Sequence, residues 1–67
     1  MQVTEIRKLA KRKPFRAFTV RLTNGAEYEF KEPEDFGAPR NYRSIFHFSD
    51  DDWVLIDTDS ITAIIER

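Results

Sequence analysis

The pattern on either side of Thr23-Asn24-Gly25 limits the possible folds of this chain more than any other feature. Before it, Phe18, Val20 and Leu22 alternate with polar residues; after it, Ala26, Tyr28 and Phe30 do the same. Period-two alternation flanking a turn signal predicts a β-hairpin with one apolar face. Two registers compete. A two-residue Asn24-Gly25 turn pairs Thr23 with Ala26 and Val20 with Glu29, which sets apolar side chains on the same face as charges, because the side-chain period is two. A three-residue loop pairs Leu22 with Ala26, Val20 with Tyr28 and Phe18 with Phe30, so that all six share one face. That loop is a type I turn closed by a left-handed residue in a G1 bulge, and Gly25 takes that conformation without a Cβ penalty. The bulged register is the expectation.

The rest of the chain is read around this hairpin. Val3, Ile6, Leu9 and Ala10 follow helical spacing, with Thr4 as the N-cap and Lys8, Lys11 and Arg12 on the opposite face. Pro14 disfavours the α conformation at Lys13, so the helix should end near Arg12. About nine residues are too few to be helical alone in water, so Ile6 and Leu9 must dock on an open end or face of the sheet. Strand one spans Phe18–Leu22 and strand two 26–31. Residues 32–41 read as a loop broken by Pro33, Gly37 and Pro39, with Phe36 tucked beneath it as a plug. Strand three spans 42–48, a polar turn follows at 49–52, and strand four is Trp53–Asp57.

Strands three and four leave their register open from sequence. A four-residue loop would pair Phe48 with Trp53, Phe46 with Leu55 and Ile45 with Ile56, making both faces partly apolar. That suits a curled sheet or barrel better than a flat sheet wet on one side. A tight connection at 57–60 leads to a fifth strand, Ile61–Glu66, with Ile61, Ala63 and Ile65 on one face; a short helix starting after Asp59 is the alternative. The expected fold is mainly β, of the α+β class. One domain over 1–67 holds a helix within 1–13 and, over 17–66, a five-stranded antiparallel sheet, strongly curled or closed into a small open barrel.

A chain of 67 residues has little interior. It has no cysteine, so no disulfide supports it. Six Phe, two Tyr and one Trp compensate with large buried area per residue, and oligomerisation is the other common remedy. No apolar run approaches the ~20 residues of a membrane span, and no signal-peptide core follows the basic start, so a cytoplasmic protein with no membrane contact is expected. Charge is split. Residues 1–16 carry Arg7, Lys8, Lys11, Arg12, Lys13 and Arg16 against Glu5, a net +5; the remainder carries five cations against eleven acids, a net −6.

The side chains that could carry chemistry are isolated. His47 sits between Phe46 and Phe48 with no acid–base partner in view and reads as a structural or surface histidine. One histidine without cysteine argues against a zinc site. Asp50, Asp51 and Asp52 lack the spaced ligands and glycine of a calcium loop and read as a solvated turn. Trp53 reads as core packing, with an interface anchor as the alternative. Ser44, Ser49 and Ser60 have no nucleophile context, and there is no glycine-rich phosphate loop. No catalysis, metal or cofactor is expected.

Two resemblances follow from these residues. A short helix before five strands, with Val20-x-Leu22-x-Asn24-Gly25 and Ser60-Ile61-Thr62-Ala63-Ile64-Ile65, resembles Sm-like small β-barrels, including bacterial Hfq. Phe30 stands where the first Sm motif has its second glycine. Ile56-Asp57-Thr58 stands where Hfq has Tyr-Lys-His, so no RNA-binding residue is carried over. Pro14-Phe15-Arg16-x-Phe18-x-Val20-x-Leu22-x-Asn24-Gly25, with Pro33, Asp35-Phe36 and the isoleucine-rich end, resembles short bacterial proteins with a Pro-Phe-Arg-Pro-Phe start; Ala17 replaces the second proline. That resemblance covers most of the chain and implies a bacterial origin and one domain, with no assigned activity.

The functional expectation is a non-catalytic interaction module that binds protein, including further copies of itself. Two sets of residues are its candidates. Ile61, Thr62, Ala63, Ile64 and Ile65 form an uncharged, β-prone edge suited to self-association. Arg7, Lys8, Lys11, Arg12, Lys13 and Arg16 form a basic segment for an acidic partner, or a solvated face that complements the helix dipole. The alternative function is RNA binding through that segment, opposed by the eleven acids of the body, which repel phosphate.

Overall fold

A computed structural model describes residues 3–66; Met1, Gln2 and Arg67 lie outside the described residues. Helix α1 is Val3–Lys11, so Thr4 lies inside it instead of capping it. Ile6 and Leu9 are buried, and Lys8 and Lys11 occupy the last turn, where cations complement the carbonyl end of the helix. Six strands follow among the described residues: β1 Phe18–Leu22, β2 Glu27–Phe30, β3 Phe36–Gly37, β4 Ser44–Phe48, β5 Trp53–Asp57 and β6 Ile61–Glu66. Turns of 3₁₀ helix occupy Pro33–Asp35 and Thr58–Ser60.

The first hairpin takes the bulged register, with Phe18 opposite Phe30 and Val20 opposite Tyr28. The Leu22 amide donates to the Ala26 carbonyl at 2.8 Å and the Gly25 amide to the Leu22 carbonyl at 2.9 Å; Gly25 has φ of 87°. The β4–β5 hairpin pairs Phe48 with Trp53, Phe46 with Leu55 and Ile45 with Ile56.

The five-stranded sheet is replaced by two three-stranded antiparallel sheets, ordered β2-β1-β6 and β3-β4-β5, and no barrel closes. The segment read as a loop is the reason. Asp35 Oδ2 accepts from the Lys31 and Glu32 amides, each at 3.2 Å, and winds Pro33–Asp35 into a 3₁₀ turn directly after β2. Phe36 and Gly37 then pair with His47 and Phe46 as a sixth strand in the second sheet. The Thr58–Ser60 turn separates β5 from β6 in the same way. His47 joins the sheets: its Nε2 donates to the Glu29 carbonyl on β2 at 2.9 Å.

The facing of β6 also departs from expectation. Ile65, Ile64 and Ala63 pair with Thr19, Val20 and Arg21, but Ile61 pairs with Leu22, which leaves Thr62 as a bulge. The extra residue inverts the side-chain parity. Ile61 therefore faces the core, and so does Ile64 opposite Val20, while Ala63 and Ile65 face outward.

The core joins both sheets and the helix through Ile6, Leu9, Phe18, Val20, Phe30, Ile45, Ile56 and Ile61. Phe18 and Phe30 stack with ring centroids 5.0 Å apart, and the Phe36 edge meets Phe30 at 5.4 Å. Phe36 thus plugs the core as expected, although from a strand.

Candidate interaction surface

The β4–β5 hairpin alternates two apolar sets. Ile45 and Ile56 point into the core and are fully buried. Phe46, Phe48, Trp53 and Leu55 point the other way, since paired residues share a face. The chain has one core to offer, so the second set is left in solvent. Trp53 is 57% exposed, Leu55 55% and Phe48 40%. Trp53 is therefore not a core residue, contrary to the reading preferred from sequence.

The outer side chains are ordered against one another. The Phe46 and Phe48 rings lie nearly parallel, 5.9 Å apart and inclined by 11°, and the Trp53 ring is 5.6 Å from Phe46. Gly37 makes room for this ladder: a Cβ there would stand 2.8 Å from the Phe48 ring. An edge glycine beneath an aromatic ring is a recognised device for closing a sheet surface. Carboxylates border the patch. Asp50, Asp51 and Asp52 hold the turn at one end, and Asp57 and Asp59 are exposed at the other. Asp52 is built into the turn, its carbonyl accepting from the Ser49 amide at 2.9 Å and its carboxylate from the Trp53 amide at 2.8 Å. Beside Leu55, Arg43, Ser44, Asp57 and Asp59 line a shallow depression.

The six basic residues do not converge. The Arg7 guanidinium lies 5.2 Å from the centre of the Tyr42 ring and donates to the Arg40 carbonyl at 3.3 Å. Arg12 pairs with Glu66 at 2.7 Å and ties the helix end to β6. Lys8, Lys11, Lys13 and Arg16 are exposed and have no acidic partner among the described residues. Lys11, Arg12 and Lys13 line a groove of about 540 Å³ with Ala10, Phe15 and Pro33, an apolar floor under a cationic rim.

The edge formed by Ile61, Thr62, Ala63, Ile64 and Ile65 pairs with β1 on one side; among the described residues no strand pairs with its other side. Ile61 is buried and Ile65 is 41% exposed. β5 is likewise an outer strand, paired among the described residues with β4 alone. His47 packs against Tyr28 and Phe30 and holds the sheets together. Among the described residues no group of three or more candidate ligands is placed to hold a metal ion, and no helix is long and apolar enough to cross a membrane. Comparison with protein families, curated proteins and solved structures gives no match for this chain.

The aromatic ladder is what sequence reasoning missed. Its signal was present, since both parities of 44–48 and 53–57 carry large apolar residues. In a chain too small for two cores, one of those faces had to remain outside.

Proposed function

We propose that this chain is a non-catalytic protein-binding module, related in architecture to Sm-like and SH3-like small barrels, that associates with its own copies through the outer face of β4–β5. The barrel kinship draws support from strand order: β6-β1-β2 followed by β3-β4-β5 is an open barrel's order, cut at Pro33–Asp35. The single observation behind the binding reading is the outer ladder of β4–β5, where Phe48, Trp53 and Leu55 are exposed beside half-buried Phe46. A continuous aromatic surface with an anchor tryptophan and an acidic border is what a protein interface requires, and ordered side chains lose little entropy on binding. The open edge of β5 adjoins the surface with unpaired backbone groups of its own.

The test is sedimentation of the wild type against Trp53→Ala and Leu55→Lys. Both side chains are more than half exposed, so the fold should tolerate the changes. The wild type should exceed monomer mass at about 0.5 mM protein and retain a fraction of it at about 0.5 M salt, because apolar burial is not screened. Both variants should sediment as monomers. A wild type that is monomeric throughout refutes the reading.

The unpartnered Lys8, Lys11, Lys13 and Arg16 support RNA binding as the second reading. Affinity for generic single-stranded RNA would then fall with salt by a slope of roughly 0.7 per phosphate contacted. Absence of retention at about 50 mM salt removes it.

A further inference from the structure

We infer that the copies join head to tail: the acidic turn and Trp53 of one copy seat in the basic groove at the end of α1 of the next. This inference rests on the reading of the β4–β5 face as a self-association surface, and it names what that face meets.

Three observations lead to it. The first is complementarity of charge at two separate places. Asp50, Asp51 and Asp52 crown the β4–β5 turn, and Lys11, Arg12 and Lys13 rim the groove. Neither set neutralises the other within one copy: Arg12 meets Glu66, and Lys11 and Lys13 meet no acid among the described residues. The second is complementarity of polarity. The turn carries an exposed indole at its base, and the groove has Ala10, Phe15 and Pro33 as an apolar floor. The third is the failure of the symmetric alternative. Two copies packed face to face about a twofold axis would set Asp50, Asp51 and Asp52 against each other or against the exposed Asp57 and Asp59, and facing like charges repel. A heterologous contact places each acidic turn against a basic rim instead. Nucleic acid on the same aromatic ladder would meet the carboxylates with its phosphates.

The indole supplies the affinity and the charges set the orientation, the usual division at mixed interfaces. The experiment uses two full-length variants. Lys11→Glu with Lys13→Glu reverses the groove. Asp50→Lys with Asp51→Lys reverses the turn and spares Asp52, whose carboxylate and carbonyl hold the turn together. All four positions are exposed, and thermal melts confirm that each variant folds. Each variant alone should self-associate at least tenfold more weakly than the wild type at about 50 mM salt. Mixed in equal amounts, they should recover wild-type association with one-to-one stoichiometry, because each reversed surface then meets an opposite charge. If both variants associate like the wild type while Trp53→Ala does not, the face is an interface but the groove is not its seat. If the variants weaken and their mixture does not recover, the two sites do not touch. Either result overturns head-to-tail packing and leaves the parent reading standing; a monomeric wild type overturns both.

Discussion

The Thr58 hydroxyl donates a 2.6 Å hydrogen bond to the Tyr42 carbonyl, and the Thr58 amide donates to the Arg43 carbonyl at 2.9 Å. Tyr42 stands at φ of 53°, in the left-handed region that an aromatic residue seldom occupies. Its ring lies under the Arg7 guanidinium and stacks on Phe36. The strained residue is therefore held by the turn between β5 and β6, by the helix and by β3.

That relationship gives the first prediction. Thr58 is 1% exposed, so Thr58→Val keeps its shape and removes its donor. The Tyr42 carbonyl would lose its partner, at a cost of about 1–3 kcal/mol. Urea unfolding should show a lower midpoint with an unchanged m-value. A midpoint equal to the wild type would mean that water replaces the hydroxyl without loss.

Gly37→Ala separates the surface from the fold. The new Cβ would collide with the Phe48 ring, but that ring is 40% exposed and can swing aside. Stability should fall by about 1 kcal/mol or less, since the displaced group is mobile and no buried contact is lost. Self-association should weaken severalfold, because Phe48 leaves its parallel stack with Phe46. A variant that melts like the wild type and still associates fully would show that the ladder's order does not matter to binding.

Glu32 offers a pH test. Its pKa lies above the ordinary glutamate value, chiefly through a hydrogen bond with Glu34, then through repulsion from Glu34, with smaller contributions from desolvation and Asp35. A folded-state pKa raised above the unfolded one means that the ionised group opposes folding. The opposition is full above the folded pKa and vanishes below the unfolded one, so this site favours folding as pH falls, the reverse of a salt-bridged acid. In an NMR titration, Glu32 should titrate above its ordinary value in the wild type and return toward it in Glu34→Gln. An unchanged titration in the variant would remove Glu34 as the cause.

Local rules made much of this fold legible. Gly25 and the alternation around it specify the first hairpin and its register, since only the bulged pairing gathers Phe18, Val20, Tyr28 and Phe30 on one face. The Ile6 and Leu9 stripe marks the buried side of a helix too short to stand alone. What stayed hidden depends on side-chain hydrogen bonds and on contacts distant in sequence. Asp35 turns the chain out of β2 through side-chain hydrogen bonds that no periodicity reveals. The choice between the two apolar faces of β4–β5 is made by the rest of the core, so the exposure of Trp53 could not be read locally. The groove of Ala10, Lys11, Arg12, Lys13, Phe15 and Pro33 joins residues on both sides of the first hairpin and exists only after folding.

The last prediction tests the β6 bulge and the open edge together. Because Thr62 is the extra residue, Ile64 lies on the core face opposite Val20, and Ile65 lies on the outer face opposite Thr19. Without the bulge the strand's two faces would be assigned differently, with Ile61 sharing a face with Ile65. The Thr62 hydroxyl marks the irregularity by donating to the Arg21 carbonyl at 3.2 Å. Ile64→Lys should therefore destabilise the domain by about 2–4 kcal/mol, since it sets an ammonium against a packed aliphatic site. Ile65→Lys, at a residue 41% exposed, should shift stability by about 0.5 kcal/mol or less. It also puts a charge within the uncharged stretch 61–65 of β6, the means by which native sheets discourage strand addition. If β6 contributes to self-association, Ile65→Lys should weaken it without lowering the melting temperature. If the turn and groove carry the contact alone, Ile65→Lys should associate like the wild type. Equal destabilisation by both variants would contradict the bulged register, because it would place Ile64 and Ile65 in equivalent surroundings.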